Sequence, residues 1–170
     1  MPANIEIKAR IQDPEGFRRR AASLSDAQVE IIPQEDVFFH TAQGRLKLRI
    51  LPQADAQLVY YMRGDAAGPK RSDYQIVEVR DAEATRTLLG QALGIRGVVR
   101  KTRHLYRAGQ TRVHFDEVEG LGAFAELEVV LREGQSDADG LVIARDLMAR
   151  LGINTVDLVE GAYIDLIRDS

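Results

Sequence analysis

Residues 124–131 read FAELEVVL, with Glu126 and Glu128 two apart in a run that is otherwise aliphatic and aromatic. A β-strand turns successive side chains to opposite faces. The two glutamates therefore share one face, and Leu127, Val129 and Leu131 share the other. Alone, this is an ordinary half-buried strand whose charged face meets water. Residues 4–10, NIEIKAR, repeat the pattern, with Glu6, Lys8 and Arg10 set against Ile5, Ile7 and Ala9.

The same alternation recurs along the chain. RLKLRIL at 45–51 puts Arg45, Lys47 and Arg49 on one face and Leu46, Leu48 and Ile50 on the other. Tyr61 and Arg63 oppose Tyr60 and Met62. Lys101 and Arg103 share one parity, and Arg112, His114 and Asp116 alternate with Val113 and Phe115. A solvated sheet face normally mixes in Ser, Thr, Asn and Gln. Here the face is mostly Arg, Lys and Glu, with both signs of charge represented.

The chain has 170 residues, 45% hydrophobic and 29% charged, with a formal net charge of −3. That length suits one domain over 1–170 and can bury a core. The near-balanced charge gives no global argument for nucleic acid or a membrane surface. Any polyanion site must come from local arrangement. The absence of cysteine excludes disulfides, thiolate metal sites and a cysteine nucleophile. The first ten residues lack the basic and apolar regions of a signal peptide. No apolar run approaches the roughly 20 residues that span a bilayer. A cytoplasmic location is the expectation.

Between the strands lie helix and turn signals. Asp13 and Pro14 start a helix over about 14–23. Asp81 and Gly94 bracket another that carries Leu88, Leu89 and Leu93 at helical spacing. A third, ended by Gly152, carries the stripe Leu141, Ala144, Leu147, Met148 and Leu151. EGAYIDLI suggests a short last helix. Residues 64–73, GDAAGPKRSD, read as a loop, and Pro33 predicts an interruption or bulge in the strand at 28–40. About eight strands joined mostly by hairpins imply antiparallel pairing. With helices covering the apolar face, the charged face turns inward. The fold class expected is α+β: a closed eight-stranded antiparallel β-barrel with helices outside.

An interior lined by charges of both signs is costly unless compensated. Basic residues grip phosphate oxygens, Arg bidentately and Lys as a point charge. Carboxylates hold Mg2+ or Mn2+, which bridge to the same phosphates. A triphosphate suits such a tunnel.

On these residues the chain resembles the CYTH, or triphosphate tunnel metalloenzyme, superfamily. The family's ExExK strand is matched at Glu6 and Lys8 and departs at Asn4. The stretch 101–129, KTRHLYRAGQTRVHFDEVEGLGAFAELEV, looks closest to the class IV adenylyl cyclase branch, and QEDVFF at 34–39 and RLKLR at 45–49 also fit. The resemblance implies a tunnel holding Mg2+ or Mn2+ and a triphosphate. It implies that Glu6, Glu126 and Glu128 are metal ligands, with Asp116 supporting them or a second metal. It implies that Lys8, Lys47, Arg49, Arg63, Arg103 and Arg112 clamp the triphosphate, with Lys70 reaching the mouth from its loop. Glu6, Lys8 and Arg63 are taken as the catalytic set.

Two reactions fit this set: cyclisation of ATP to cyclic AMP and pyrophosphate, and hydrolysis of tripolyphosphate, thiamine triphosphate or a nucleotide. A non-catalytic module that binds polyphosphate or nucleotide is a third reading. The partner expected is a small triphosphate, not nucleic acid or membrane, with homodimer assembly left open. His114 shares the inward parity but suits a bond to a carboxylate equally well. Tyr60, Tyr61 and Tyr106 read as packing.

Overall fold

Hairpins account for five of the strand pairings, and three long-range pairings close the ring. The computed structural model describes residues 2–64 and 67–168. In chain order the elements are β1 (Ala3–Arg10), α1 (Pro14–Leu24), β2 (Glu30–Phe39), β3 (Arg45–Ile50), β4 (Ala56–Arg63), β5 (Lys70–Val79), α2 (Ala82–Leu93), β6 (Ile95–Ala108), β7 (Thr111–Val118), β8 (Gly122–Val130), α3 (Asp137–Leu151) and α4 (Tyr163–Arg168). The strands form a closed antiparallel barrel in the order β1-β5-β4-β3-β2-β6-β7-β8. β2 pairs with β6, and β1 inserts between β5 and β8. Closure removes the open edges that a sheet otherwise exposes.

The helices lie outside and cover the apolar parity. Asp13 caps α1 by accepting from the Gly16 N–H at 3.0 Å, and Phe17 and Ala21 are buried. Ser136 and Asp139 form a capping box on α3. α1 and α3 sit over Ile7, Val113, Phe115 and Leu127, with Leu147 and Leu151 completing that core. Gly140 lets α3 approach the barrel closely, because a Cβ there would lie 2.5 Å from Cγ1 of Ile5. α2 presses only a narrow stripe onto β2 and β3. Leu89 joins the core there, while Leu88 and Leu93, expected to be buried with it, are exposed.

Two further expectations change. The segment 64–73 does not stay a loop to its end, because Lys70–Asp73 pair with Glu6–Ala3 of β1. That long-range ladder overrides the local Gly/Pro composition. The bulge in β2 falls between Phe38 and Phe39, not at Pro33. Pro33 pairs with Thr102 of β6, and the ladder with β3 begins only at Glu35. No second neighbour there needs its missing N–H.

Candidate triphosphate and metal site

Inside the barrel is a cavity of about 330 Å³. Its wall includes Lys8, Lys47, Arg49, Arg63, Lys101, Arg103 and Arg112 together with Glu6, Asp36, Glu126 and Glu128. Strand register explains the grouping. Glu6 is opposite Glu128, Lys8 is opposite Glu126, and Arg112 is opposite Glu128. The alternation that puts Leu127 and Ile7 in the outer core therefore brings the carboxylates of two adjacent strands into one field.

The charges are already paired. Arg103 donates to both oxygens of Asp116 at 2.8 and 2.7 Å, and to Glu126 at 2.7 Å. Arg63 donates to Glu6 at 3.1 Å. Arg112 donates to Glu128 at 2.7 Å. Lys47 and Arg49 donate to Asp36 at 2.8–2.9 Å. Against the effect of burial, Lys8 and Arg103 hold the Glu126 carboxyl well below the usual range. Glu128, also against burial, is pulled to about 2 by His114 and Arg112. Glu6 moves the other way. Burial and the facing Glu128 raise it. Burial also lowers Lys8 to about 7. Burial and Arg49 lower Lys47 to about 7, despite the Asp36 carboxylate beside it.

One end of the barrel is sealed by the C-terminal segment. Val159 donates its N–H to the Lys8 carbonyl at 2.9 Å. Val159, Ala162, Tyr163 and Ile164 pack with Phe38, Val99, Val118 and Phe124. Gly161, at φ 75, presents its carbonyl to Nζ of Lys8 at 3.2 Å and to Nη2 of Arg63 at 2.7 Å. The Tyr163 hydroxyl donates to Asp116 at 2.9 Å, and its ring lies 4.0 Å from Nζ of Lys8.

The structure thus gathers Glu6, Lys8, Lys47, Arg49, Arg63, Arg103, Arg112, Glu126 and Glu128 around one cavity. Asp116 lies behind its wall, fully buried, with its oxygens taken by Arg103 and Tyr163. Lys70 is the first residue of β5, opposite Glu6, and is not among the lining residues. His114 lines the cavity. Burial and Arg103 lower it to about 4, so it is neutral at physiological pH.

Sequence reasoning gave no role to Asp36 or Tyr163. Asp36 sits at inward parity in QEDVFF, a stretch whose inward positions, Gln34, Asp36 and Phe38, are chemically mixed. Tyr163 reaches Asp116 across 47 positions, which no local pattern signals.

The donors fit a hard divalent cation. Glu6, Glu126 and Glu128 offer oxygens from adjacent strands, and Oδ1 of Asn4 is buried with no hydrogen-bond partner. Such an oxygen suits a cation or an incoming donor. Among the described residues, no three His, Asp or Glu side chains already converge closely enough to hold a metal. No described helix is long and apolar enough to cross a membrane.

A closed two-signed tunnel of this kind defines a class of protein, and comparison with known sequences agrees. The CYTH domain pattern matches residues 2–163, and the chain belongs to the CYTH domain family. It is 28% identical to the adenylate cyclase CyaB of Aeromonas hydrophila over 98% of this chain and 89% of that protein. A Pyrococcus horikoshii OT3 protein of known structure superposes with a TM-score of 0.84 at 26% identity, over 96% of this chain and 98% of that one. A Hippeastrum protein, for which a dominant triphosphatase activity is described, shares the fold with a TM-score of 0.68 at 18% identity, over 99% and 96% of the two chains.

Proposed function

We propose that the tunnel takes a triphosphate together with Mg2+ or Mn2+, and that the reaction is class IV adenylyl cyclase-like: ATP to cyclic AMP and pyrophosphate. One observation carries this reading. Glu6, Glu126 and Glu128 share an enclosed cavity with a continuous set of Lys and Arg side chains. The name of the Aeromonas relative supports the choice of cyclase.

In this reading Glu6, Glu126 and Glu128 hold the cation, with the Asn4 amide oxygen beside them. A cation held there would supply charge neutralisation at the phosphate oxygens and would lower the pKa of the attacking hydroxyl. Lys47, Arg49, Arg103 and Arg112 bind phosphate oxygens, and Lys101 joins them. Lys8 and Arg63, next to Glu6, neutralise charge on the departing pyrophosphate. Asp116 positions Arg103 rather than touching substrate. Lys70 is an outer contact near the same group.

Incubating the purified protein with Mg2+ or Mn2+ and either ATP or tripolyphosphate tests this. Cyclic AMP with pyrophosphate is the expected product. Orthophosphate would reassign the tunnel as a triphosphatase. Tight binding without turnover would make it a binding module.

A further inference from the structure

Strand β7 carries a buried histidine that the triphosphate clamp does not use. His114 is 3% exposed and lines the cavity. Strand register sets it opposite Glu126, one inward position from the place where Glu128 faces Glu6 of β1. Its parity permits a hydrogen bond to a carboxylate, but none forms. Nδ1 has no hydrogen-bond partner and stands 3.9 Å from Oε1 of Glu128, beyond hydrogen-bonding distance. The other oxygen of that carboxylate, Oε2, accepts from Arg112 at 2.7 Å. A buried polar atom without a partner is costly.

Asn4 repeats the situation across β8. It is 2% exposed, and its Oδ1 also has no partner, while its Nδ2 donates to Oε1 of Glu6 at 3.3 Å. β8 lies between β7 and β1, so the two unpartnered atoms flank the strand that carries Glu126 and Glu128. The gap at His114 is too wide for a proton but suits a cation. Two donors each about 2.1 Å from one ion stand about 3 Å apart at a right angle and about 4.2 Å apart when opposed. The 3.9 Å between Nδ1 and Oε1 falls inside that range. Imidazole is the commonest protein ligand for metals and favours first-row transition ions, whereas Mg2+ favours carboxylate and water oxygens.

We propose that Nδ1 of His114 is a metal ligand, paired with Oε1 of Glu128, and that this nitrogen makes the carboxylate site select a divalent transition ion such as Mn2+ over Mg2+. The inference rests on the metal and triphosphate reading above and deepens it. It makes His114 the residue that sets which cation the tunnel takes.

Pulsed electron paramagnetic resonance of bound Mn2+ tests it, together with calorimetric titration of Mn2+ and of Mg2+ into the wild type and His114→Gln. Glutamine stays polar and offers an amide oxygen, and circular dichroism checks its folding. The wild-type spectrum should show coupling to a directly bound nitrogen-14, and that coupling should vanish in His114→Gln. The variant should weaken Mn2+ by about 10-fold or more and Mg2+ by less than about 3-fold, because only the transition ion gains from the nitrogen. Mn2+ bound to the wild type without nitrogen coupling would overturn the ligand and leave the triphosphate reading standing. Equal losses of the two ions in the variant, or an unchanged Mn2+ affinity, would overturn it as well. A wild type that binds neither ion, alone or with tripolyphosphate, would remove both readings.

Discussion

The wall formed by β1, β6, β7 and β8 and the wall formed by β3, β4 and β5 follow the same alternation but are covered differently. β1 is buried along nearly its whole length, and β7 almost as fully. α3 packs on β1 and β8, and α1 lies over β6. The outer side of β4 and β5 has much less cover, and Met62 and Val77 are 47% and 61% exposed. The covered wall carries Glu6, Glu126, Glu128 and the buried Arg103–Asp116 pair. The open wall carries Lys47, Arg49 and Arg63. Close packing outside thus coincides with the carboxylates inside, where donors to a metal must be held in place. Cations that meet a long flexible anion tolerate a looser wall.

The largest expected effect is on the covered wall. Glu126→Ala should lower metal-dependent turnover by about 100-fold or more, with the circular dichroism spectrum unchanged. Retained turnover would put the metal donors elsewhere.

Next is packing outside the two walls. Leu151→Ala, at a fully buried contact of α3, should cost about 2–5 kcal/mol. Val77→Ala on the open wall should stay within about 0.5 kcal/mol. Urea unfolding would measure both. Equal costs would erase the contrast between the walls.

A smaller effect is expected at Arg49, 16% exposed in its side chain. Arg49→Ala should weaken tripolyphosphate binding by about 10-fold at low ionic strength and less in salt, because screening shortens the reach of charge. A loss that ignored salt would signal misfolding instead.

The smallest effect is a pH dependence. Burial lowers Lys8 and Lys47 to about 7, so above that pH the free tunnel holds them neutral. A bound triphosphate favours their charged form, and binding then takes up protons. Affinity should fall as pH rises from about 7 to 8.5, by severalfold. Calorimetry at pH 8 in buffers of different ionisation enthalpy should show proton uptake. Proton release would show that the lysines do not face the ligand. The same shifts set the sign for folding. The unfolded lysines bind more protons between pH 7 and 10.5, so these two residues make stability rise through that window.

Much of this was legible in the sequence because the period of a strand is local. IEIK, RLKLR, TRVHFD and AELEV each declare which residues share a face, and the hairpin turns declare most of the pairing. The closing pairs, β1 with β5 and β8 and β2 with β6, join residues far apart in the chain. Closure was expected from the need to cover the apolar face, but no motif signals which strands make these pairs. The early start of β5 at Lys70 was hidden for that reason, since its ladder partner is β1. Gly161 and Tyr163, whose carbonyl and hydroxyl touch Lys8, Arg63 and Asp116, belong to the C-terminal segment, which returns from the far end of the chain. Asn4 was legible as a departure from ExExK, but its partnerless oxygen appears only once the barrel closes.

The central claim is that the charged parity faces an enclosed triphosphate site and the other parity does not. Tyr60 and Tyr61 are neighbours on β4. Tyr61 lines the cavity, while Tyr60 turns outward and donates its hydroxyl to the Gln43 carbonyl at 3.4 Å. Because the chain has no cysteine, Tyr61→Cys and Tyr60→Cys would each carry a single thiol. Thiol modification rates measured with and without tripolyphosphate and Mg2+ compare the two faces directly. The account predicts that the ligand protects Tyr61→Cys strongly and leaves Tyr60→Cys unchanged. Equal rates with and without ligand at Tyr61→Cys, or protection at Tyr60→Cys, would contradict it.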